Sequence, residues 1–374
     1  MEPLMPQPGS PVDPRNAVGR RDTTHRARRE LLAHNNLCLT DPRRMGKTVW
    51  LDLFCSNPGD GLVAIKIDFE GVQNREEFLL RTVAALRLHS GLPRQALTRL
   101  KAMFDGVEVT AGPVSVRAGV ASRTPTELLT DTIRSVDAHV DDGTLFVIAM
   151  DEVPIALSNI TANEGPAAAN QMLQALRQLR GGKTRLRWIV SGSIGFHHIL
   201  RRCDATEGAI NDLVNLPLGP LPDPDAHELA TRLLLGIARQ ADAQAIEAMI
   251  EQTGRIPFLI HGLAHRLHDA GTGPVTADGV HTAFTEYMDD RDDSRAATHL
   301  LTRLSPLYGD RAAAAEAILD RLAVNDAADL GDLQATTDVL NDLIDDHYLI
   351  EERGAQHWRY EVLRRIWAHR RRLT

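Results

Sequence analysis

The sequence predicts an α/β protein with a parallel sheet, divided into more than one domain. Its 374 residues exceed the usual size of one domain, and 43% of them are hydrophobic but only 4% aromatic, which favours helices with strands over a β-sandwich. Apolar runs at 36–40, 62–69, 145–152 and 187–193 are separated by helical patterns. Strands that are apolar along their whole length are typical of a parallel sheet with helices on both faces.

Composition and charge exclude several classes of protein. No apolar run reaches the roughly 18 residues that a membrane-spanning helix requires, and the N-terminal residues lack the apolar segment of a signal peptide. The cysteines Cys38, Cys55 and Cys203 lie far apart, which argues against a disulfide scaffold or a zinc module. We therefore expect a soluble, cytoplasmic protein without membrane contact, and the net charge of −8 gives no general support for nucleic-acid binding.

The N-terminal part predicts a disordered leader, a helix and a strand–loop–helix unit, in that order. Residues 1–14 are rich in proline and show no periodicity, whereas 23–33 have a helical pattern. An apolar strand at 36–40 leads through a polar loop into a helix that ends near residue 54. Alternating apolar and polar residues at 104–119 predict a hairpin inserted between these elements and the rest of the domain.

The first domain continues with alternating helices and strands. Thr126 is the predicted N-cap of a helix, and the apolar face of that helix is formed by Leu129, Ile133, Val136 and Val140. A further helix lies between the strands at 145–152 and 187–193. These elements predict a core domain at residues 15–217.

After the core domain the pattern becomes helical, and two further domains are predicted. Residues 218–295 carry only helical patterns and end in an acidic run, which indicates a helical domain followed by a solvated hinge. Residues 296–374 predict two helices, a strand–turn–strand around Gly354 and a basic last helix. In the strand–turn–strand, Tyr348 and Ile350 are predicted to face Trp358 and Tyr360.

The loop at 41–48, DPRRMGKT, fits the phosphate-loop pattern GxxxxGK followed by Ser or Thr, except at its first position. In such a loop the backbone N–H groups wrap a phosphate at the start of a helix. Lys47 would contact the β- and γ-phosphates, and the Thr48 hydroxyl would hold Mg²⁺. The alternative is a strand-to-helix turn that is capped by Asp41 and binds no ligand.

Asp41 stands where the pattern has glycine. A carboxylate close to a triphosphate would repel it, unless the side chain points away or caps a local backbone N–H group. The sequence leaves both arrangements open.

Acidic and hydroxyl side chains follow two of the predicted strands. Asp151 and Glu152 end the strand at 145–152, where one carboxylate suits Mg²⁺ coordination and the other the activation of a water molecule. Ser191 and Ser193 end the next strand, which we expect beside the acidic pair, and they would sense a γ-phosphate. The alternatives are an acidic surface dipeptide and an ordinary polar turn.

Several motifs resemble those of a known family. The sequence contains, in this order, VGRR at 18–21, PRRMGKT at 42–48, IDFEG at 67–71, the apolar strand that ends in Asp-Glu, SGS at 191–193 and TGRIP at 253–257. Together they are similar to the AAA+/STAND-type ATPases, in particular to the group described as ATPases predominantly from Archaea. This resemblance implies a P-loop ASCE/AAA+-like core with a parallel sheet at 15–217, a helical lid at 218–295 and a C-terminal winged-helix domain at 296–374.

The resemblance also implies which residues bind the nucleotide. Gly19 and Arg20 would lie near the adenine, and Pro257 would pack against the base, although proline is also common in a first helical turn. The phosphate loop would bind ATP through Arg43, Arg44, Met45, Gly46, Lys47 and Thr48.

Metal and catalytic roles follow from the same resemblance. Thr48 and Asp151 would hold Mg²⁺, and Glu152, together with Lys47, would act in hydrolysis. Arg201 and Arg202 would serve as arginine fingers on a neighbouring subunit, or else would be solvated surface residues.

The expected function is an ATP-dependent molecular switch that couples nucleotide state to the C-terminal domain. The resemblance implies a regulator, as in defence or mobile-element systems, with a partner protein or self-association through the core and winged helix. One alternative is a degenerate nucleotide-binding scaffold without turnover that docks a partner. Another, suggested by the basic C-terminal helix, is an ATP-regulated DNA-binding protein.

Overall fold

The computed structural model describes residues 1–9, 12–13, 16–89, 91–104, 123–182, 184–290, 304–325, 330 and 337–373. Apart from its first residue, the hairpin predicted at 104–119 lies outside the described residues, as do residues 291–295 of the acidic run.

The strands in the described part of the chain are β1 (Asn36–Leu39), β2 (Leu62–Asp68), β3 (Leu145–Asp151), β4 (Leu186–Ser191), β5 (Leu213–Asn215), β6 (Leu349–Glu352) and β7 (Ala355–Trp358). The helices up to residue 202 are α1 (Arg21–Leu32), α2 (Lys47–Ser56), α3 (Arg75–Leu88), α4 (Arg94–Met103), α5 (Pro125–Asp137), α6 (Val153–Glu164), α7 (Pro166–Arg180) and α8 (Phe196–Arg202). The later helices are α9 (Asp223–Gly236), α10 (Ala243–Thr253), α11 (Pro257–Asp269), α12 (Ala277–Asp289), α13 (Leu304–Tyr308), α14 (Ala312–Val324), α15 (Thr337–Asp345) and α16 (Glu361–Arg371). Within these ranges, none of the helices is both long enough and apolar enough to cross a bilayer.

The predicted parallel sheet is confirmed. Its strand order is β2-β3-β4-β1-β5, and every neighbouring pair is parallel. Strand β4 therefore separates β1, which leads into the phosphate loop, from β3, which leads into the acidic pair. The edge strand β5 was not predicted, because three half-exposed residues give no apolar run.

The strands are stable where predicted because their side chains are buried on both faces. In β3 and β4 nearly every residue is buried, and the helices α3, α5, α6 and α7 contribute to the same apolar cluster. Helix α5 begins with the capping box of Thr124 and Glu127, so its N-cap lies two residues before the predicted one.

The chain divides into two compact units. One consists of Asp22–Thr40 and Leu51–Pro217 and contains the five-stranded sheet. The other consists of Met1–Arg21, Asp41–Trp50 and Leu218–Thr374. The phosphate loop belongs to the second unit, and its Met45 is fully buried in the same apolar cluster as residues of helices α9–α12.

The C-terminal region contains the predicted helices, strand pair and last helix in the predicted order, with one short additional helix, α13, before them. Helices α13, α14 and α15 precede the antiparallel pair β6–β7, and α16 follows it. The strand register places Trp358 opposite Leu349 and His357 opposite Ile350, so the predicted facing of Ile350 and Trp358 is wrong.

One apolar side chain is buried within the N-terminal residues that were predicted as a disordered leader. Leu4 is buried, and its backbone N–H donates to the Arg232 carbonyl oxygen at 2.8 Å. A single apolar side chain with backbone partners orders this segment, although its composition is rich in proline.

Candidate functional site

The phosphate loop connects β1 to α2 through two residues with positive φ. These are Arg44, at 76°, and Gly46, at 90°. Glycine adopts such a conformation without steric cost, which explains Gly46. Helix α2 starts at Lys47, so the first backbone N–H groups of the helix open towards the loop, and such a helix start favours anions.

Lys47 is buried, and its ammonium group is held by its own loop. It donates to the carbonyl oxygen of Asp41 and, at 2.9 Å, to that of Pro42. An incoming phosphate would have to replace these acceptors. The positive charge of Lys47 therefore lies where a phosphate loop requires it, but its ammonium group is already hydrogen-bonded to backbone carbonyl oxygens.

The side chain of Asp41 points away from its own loop and binds the start of the lid segment. One carboxylate oxygen accepts the Leu218 N–H at 2.7 Å, and the other accepts the Gly219 N–H at 2.9 Å. Asp41 is almost fully buried, at 1% exposed, so these charge-assisted bonds are shielded from water. Of the two arrangements left open by the sequence, the side chain that points away is the one present, and its partners are N–H groups of a distant segment.

Arg20 makes a second connection between the same segments. Its guanidinium donates to four backbone carbonyl oxygens, those of Met45, Leu218, Gly219 and Pro220. Burial lowers the pKa of Arg20 to about 10, and the nearby carboxylates of Asp41 and Asp225 oppose this shift. Arg20 and Asp41 therefore cross-link the phosphate loop to residues 218–220.

Gly19 is required by the same packing. Its φ is 77°, and a Cβ atom at this position would overlap the carboxylate of Asp225 in α9. That carboxylate accepts the Arg20 N–H at 3.0 Å. The structure therefore locates Gly19 and Arg20 beside α9 and the phosphate loop, and the predicted contact with adenine stays a prediction.

The start of α11 lies against the phosphate loop. Pro257 is the first residue of this helix, and its ring lies 4.0 Å from the position of a Cβ atom on Gly46. The Arg44 guanidinium lies over the ring of Phe258, 4.7 Å from its centre. The motif that ends in Pro257 thus lies next to the loop, and the predicted contact of Pro257 with the base stays a prediction.

The acidic pair is held by the serines that follow β4. Ser191 donates from its hydroxyl to Asp151 at 2.9 Å, and Ser193 donates from its hydroxyl and its N–H to Glu152 at 2.9 and 3.1 Å. The expected proximity of these two strand ends is confirmed. The proposed role of the serines as γ-phosphate sensors stays a prediction, since their observed partners are the carboxylates.

Asp68, the last residue of β2, lies in the run IDFEG, but no role was predicted for it. It is paired in register with Asp151, and burial, together with the charge of Asp151, raises its pKa. Oxygen ligands of this kind at one edge of a sheet suit Mg²⁺. The run IDFEG, which ends the second strand in the same way as β3, was the available signal.

Two residues of the C-terminal region, Tyr360 and His347, also lie near the loop without having been predicted there. Burial, followed by the charge of Asp41, raises the pKa of Tyr360 to about 12. Burial lowers the pKa of His347, which lies within electrostatic range of both Asp41 and Lys47. Side chains next to β6 and β7 therefore lie near the phosphate loop.

The remaining predicted residues are distributed as follows. Arg43 is half-buried and Thr48 is exposed at the start of α2. Arg201 is exposed at the end of α8, and Arg202 donates to the Ser158 hydroxyl at 2.9 Å. A role as arginine fingers requires a neighbouring subunit and stays a prediction.

Comparison with known proteins gives a likeness in fold. Neither the protein-family models nor the sequences of curated proteins match this chain. The structure is similar to the Walker-type ATPase PABY2304 of Pyrococcus abyssi, with a TM-score of 0.63, 16% identity, and coverage of 94% of this chain and 96% of that chain. It is also similar to the ORC2 protein of Aeropyrum pernix, with a TM-score of 0.50, 12% identity, and coverage of 96% and 97%. With its sheet order and loop, the chain therefore resembles the P-loop AAA+ ATPases in fold.

Proposed function

We propose that this protein binds Mg·ATP at residues 41–48 and hydrolyses it, and that it acts as a molecular switch. The observation that carries the proposal is the buried ammonium group of Lys47 at the first residue of α2, directly after a loop with two positive φ angles. The similar ORC2 structure is one of ADPNP–ADP complexes, which supports the choice of ligand.

Each residue of the site would have a distinct task. Lys47 would exchange two carbonyl oxygens for the β- and γ-phosphates, and the N–H groups at the start of α2 would bind the phosphate oxygens. Thr48 and Asp151 would hold Mg²⁺, which neutralises charge on the phosphates when bound. These are oxygen donors of the kind that this ion prefers.

Glu152 would orient and deprotonate the attacking water. Its carboxylate now accepts both the hydroxyl and the N–H of Ser193. These bonds hold the carboxylate in one position, and a general base must be positioned to take a proton from water. Ser193 therefore acts as a positioning residue for Glu152 in this proposal.

The switch would act on the C-terminal region. Because the phosphate loop lies in the same compact unit as the lid and the C-terminal elements, a change at the loop has a short path to them. We propose that the C-terminal elements form a winged helix that binds a partner protein, and that Arg201 and Arg202 act in self-association. A defence or mobile-element setting is proposed on the resemblance alone.

A protein partner is favoured over DNA because several arginines of α16 are already paired. Arg371 bonds Glu316 at 3.0 Å and Asp320 at 2.6 Å, and Arg364 bonds Glu361 at 2.6 Å. Arginines that neutralise acidic neighbours release fewer counterions when they meet a phosphate backbone.

The second candidate function is a scaffold that binds nucleotide without turnover. It is favoured by Asp41, which stands where the usual pattern has glycine. The Asp41 carboxylate ties the loop to the lid segment. A phosphate-release assay on the wild type and on Glu152→Gln separates the two candidates. The switch predicts steady turnover that Glu152→Gln abolishes while ATP binding is retained, whereas the scaffold predicts no turnover in either protein.

A further inference from the structure

Residues 1–9 lie along the lid as an extended segment with one anchor. The Leu4 side chain is 6% exposed and belongs to the same apolar cluster as residues of α9 and α11, whereas the neighbouring Met5 is 57% exposed. Opposite burial of two adjacent apolar residues indicates that one face of the segment is bound. Leu4 is therefore the anchor, and Met5 is a matched exposed neighbour.

The backbone of the segment is bound to helix α9. The Leu4 N–H donates to the Arg232 carbonyl oxygen at 2.8 Å, and the Arg232 side chain donates from Nε to the Glu2 carbonyl oxygen at 2.9 Å. Gly236 lies directly beneath Leu4, and a Cβ atom on it would overlap the Leu4 carbonyl oxygen. Helix α9 thus has a glycine where the segment crosses it.

From α9 the segment continues past α11 to the phosphate loop. The Gln7 N–H donates to Nδ1 of His261 in α11 at 3.2 Å. Two residues later, the position of a Cβ atom on Gly9 lies 3.3 Å from the Arg44 guanidinium. The same guanidinium lies over Phe258, so Gly9 and the first turn of α11 both pack against one phosphate-loop side chain.

The composition of the segment favours docking without a folded core. Pro3, Pro6 and Pro8 restrict the backbone of the undocked segment to extended conformations. Less conformational entropy is then lost when the segment binds. Few contacts are therefore enough to hold it, and loss of the anchor should release it.

We infer that residues 1–9 form an intramolecular strap that holds α9, α11 and the phosphate loop together and thereby slows nucleotide exchange. This inference rests on the proposed function, in which the nucleotide binds the loop, together with the predicted contact between Pro257 at the start of α11 and the base. Release of a nucleotide requires these elements to separate, and the strap bonds or packs against all three. Undocking the strap should therefore speed release.

Two substitutions in the full-length chain undock the strap from opposite sides. Leu4→Asp removes the anchor, and a buried leucine is worth roughly a ten- to hundredfold change in docking equilibrium. Gly236→Ala leaves the sequence of the strap unchanged, but its Cβ atom would overlap the Leu4 carbonyl oxygen. Because alanine forms helices better than glycine, α9 should stay folded. The matched controls are Met5→Asp and Gly273→Ala, since a Cβ atom on Gly273 meets nothing within 4 Å.

Docking is measured by amide hydrogen exchange, and exchange of nucleotide by the release of a fluorescent ADP derivative into excess ADP. We expect the Leu4 amide to be protected in the wild type and both controls, and unprotected in Leu4→Asp and Gly236→Ala. We expect release to be about tenfold faster in those two variants, within the range set by the lost leucine contact.

Three results would overturn the inference. One is an unprotected Leu4 amide in the wild type, and another is protection that depends on protein concentration, which would mean docking onto a second copy. The third is a loss of amide protection in both variants while the rates of nucleotide release stay unchanged. This result would reject the effect of the strap on exchange, but not the proposed nucleotide binding. If neither the wild type nor any variant bound the ADP derivative, the proposed function would fail, and with it the effect of the strap on exchange. The amide protection would still show whether the segment is docked.

Discussion

The carboxylate of Asp41 accepts the backbone N–H of Leu218 at 2.7 Å, and the phosphate loop is thereby tied to the first residue of the lid segment. The residue that departs from the phosphate-loop pattern is thus a structural connector. Arg20 strengthens the connection from the other side, because it binds carbonyl oxygens of both segments. Several consequences of this arrangement can be measured.

Asp41→Gly should destabilise the protein and weaken ATP binding. It removes two charge-assisted bonds and leaves the N–H groups of Leu218 and Gly219 without their acceptor, at a cost of about 3 kcal/mol in the free energy of unfolding. Urea unfolding measures this change, and Asp60→Gly, at an exposed loop position, is the control. Tighter ATP binding at unchanged stability would mean that the carboxylate acts on the phosphates instead.

Arg20→Lys should also lower stability, although it keeps the charge. A lysine ammonium cannot reach four carbonyl oxygens spread over two segments in the way the planar guanidinium does. We expect a loss of about 2 kcal/mol in the free energy of unfolding. Arg21→Lys, on the exposed start of α1, should be neutral. Equal stability of Arg20→Lys and the wild type would remove Arg20 from the connection.

Stability should fall between pH 6.5 and pH 4 because of His261. Burial lowers the pKa of His261 from 6.5 to about 4, so within this range the unfolded chain binds a proton that the folded chain does not. The free energy of unfolding therefore drops as the pH falls, by at most about 3 kcal/mol. His261→Asn, which keeps an acceptor for Gln7, should show a smaller drop in unfolding experiments at pH 4 and pH 7. An identical drop in both proteins would contradict the assignment.

Duplex DNA should bind weakly, with little dependence on salt. If Arg370, Arg371 and Arg372 each contacted a phosphate, the logarithm of the binding constant would fall by about 2.7 per log unit of salt. We expect a slope well below this, because Arg371 already pairs with Glu316 and Asp320. Gel-shift titrations at two salt concentrations, on the wild type and on the triple alanine variant, provide the test. Tight, salt-sensitive binding that the variant loses would establish DNA as the partner.

The sequence predicted the sheet because its signals are local. Apolar runs locate the strands, and the loop before Lys47 and the carboxylates after β3 follow directly from residue types. The proximity of Ser191 and Asp151 could also be predicted, since neighbouring parallel strands end at the same edge of the sheet.

Contacts between distant segments could not be predicted. The bond between Asp41 and Leu218 joins residues far apart in the chain, and no periodicity marks it. The register of β6 and β7 was missed because a shift by one residue moves Trp358 to the other face, and the turn geometry at Gly354 decides it. Leu4 was missed because one apolar residue among prolines has no pattern.

Calorimetric titration of Mg·ATP into the wild type and Lys47→Ala tests the central claim most directly. Removing a charged donor to phosphate costs about 1.5–3 kcal/mol, or roughly ten- to a hundredfold in affinity. Lys101→Ala, at an exposed position of α4, is the control and should bind like the wild type. We expect the wild type and the control to bind ATP with similar affinity. Folded Lys47→Ala should bind ATP at least about tenfold more weakly. Absence of ATP binding by the wild type, or equal affinity in folded Lys47→Ala, would contradict a nucleotide site at this loop.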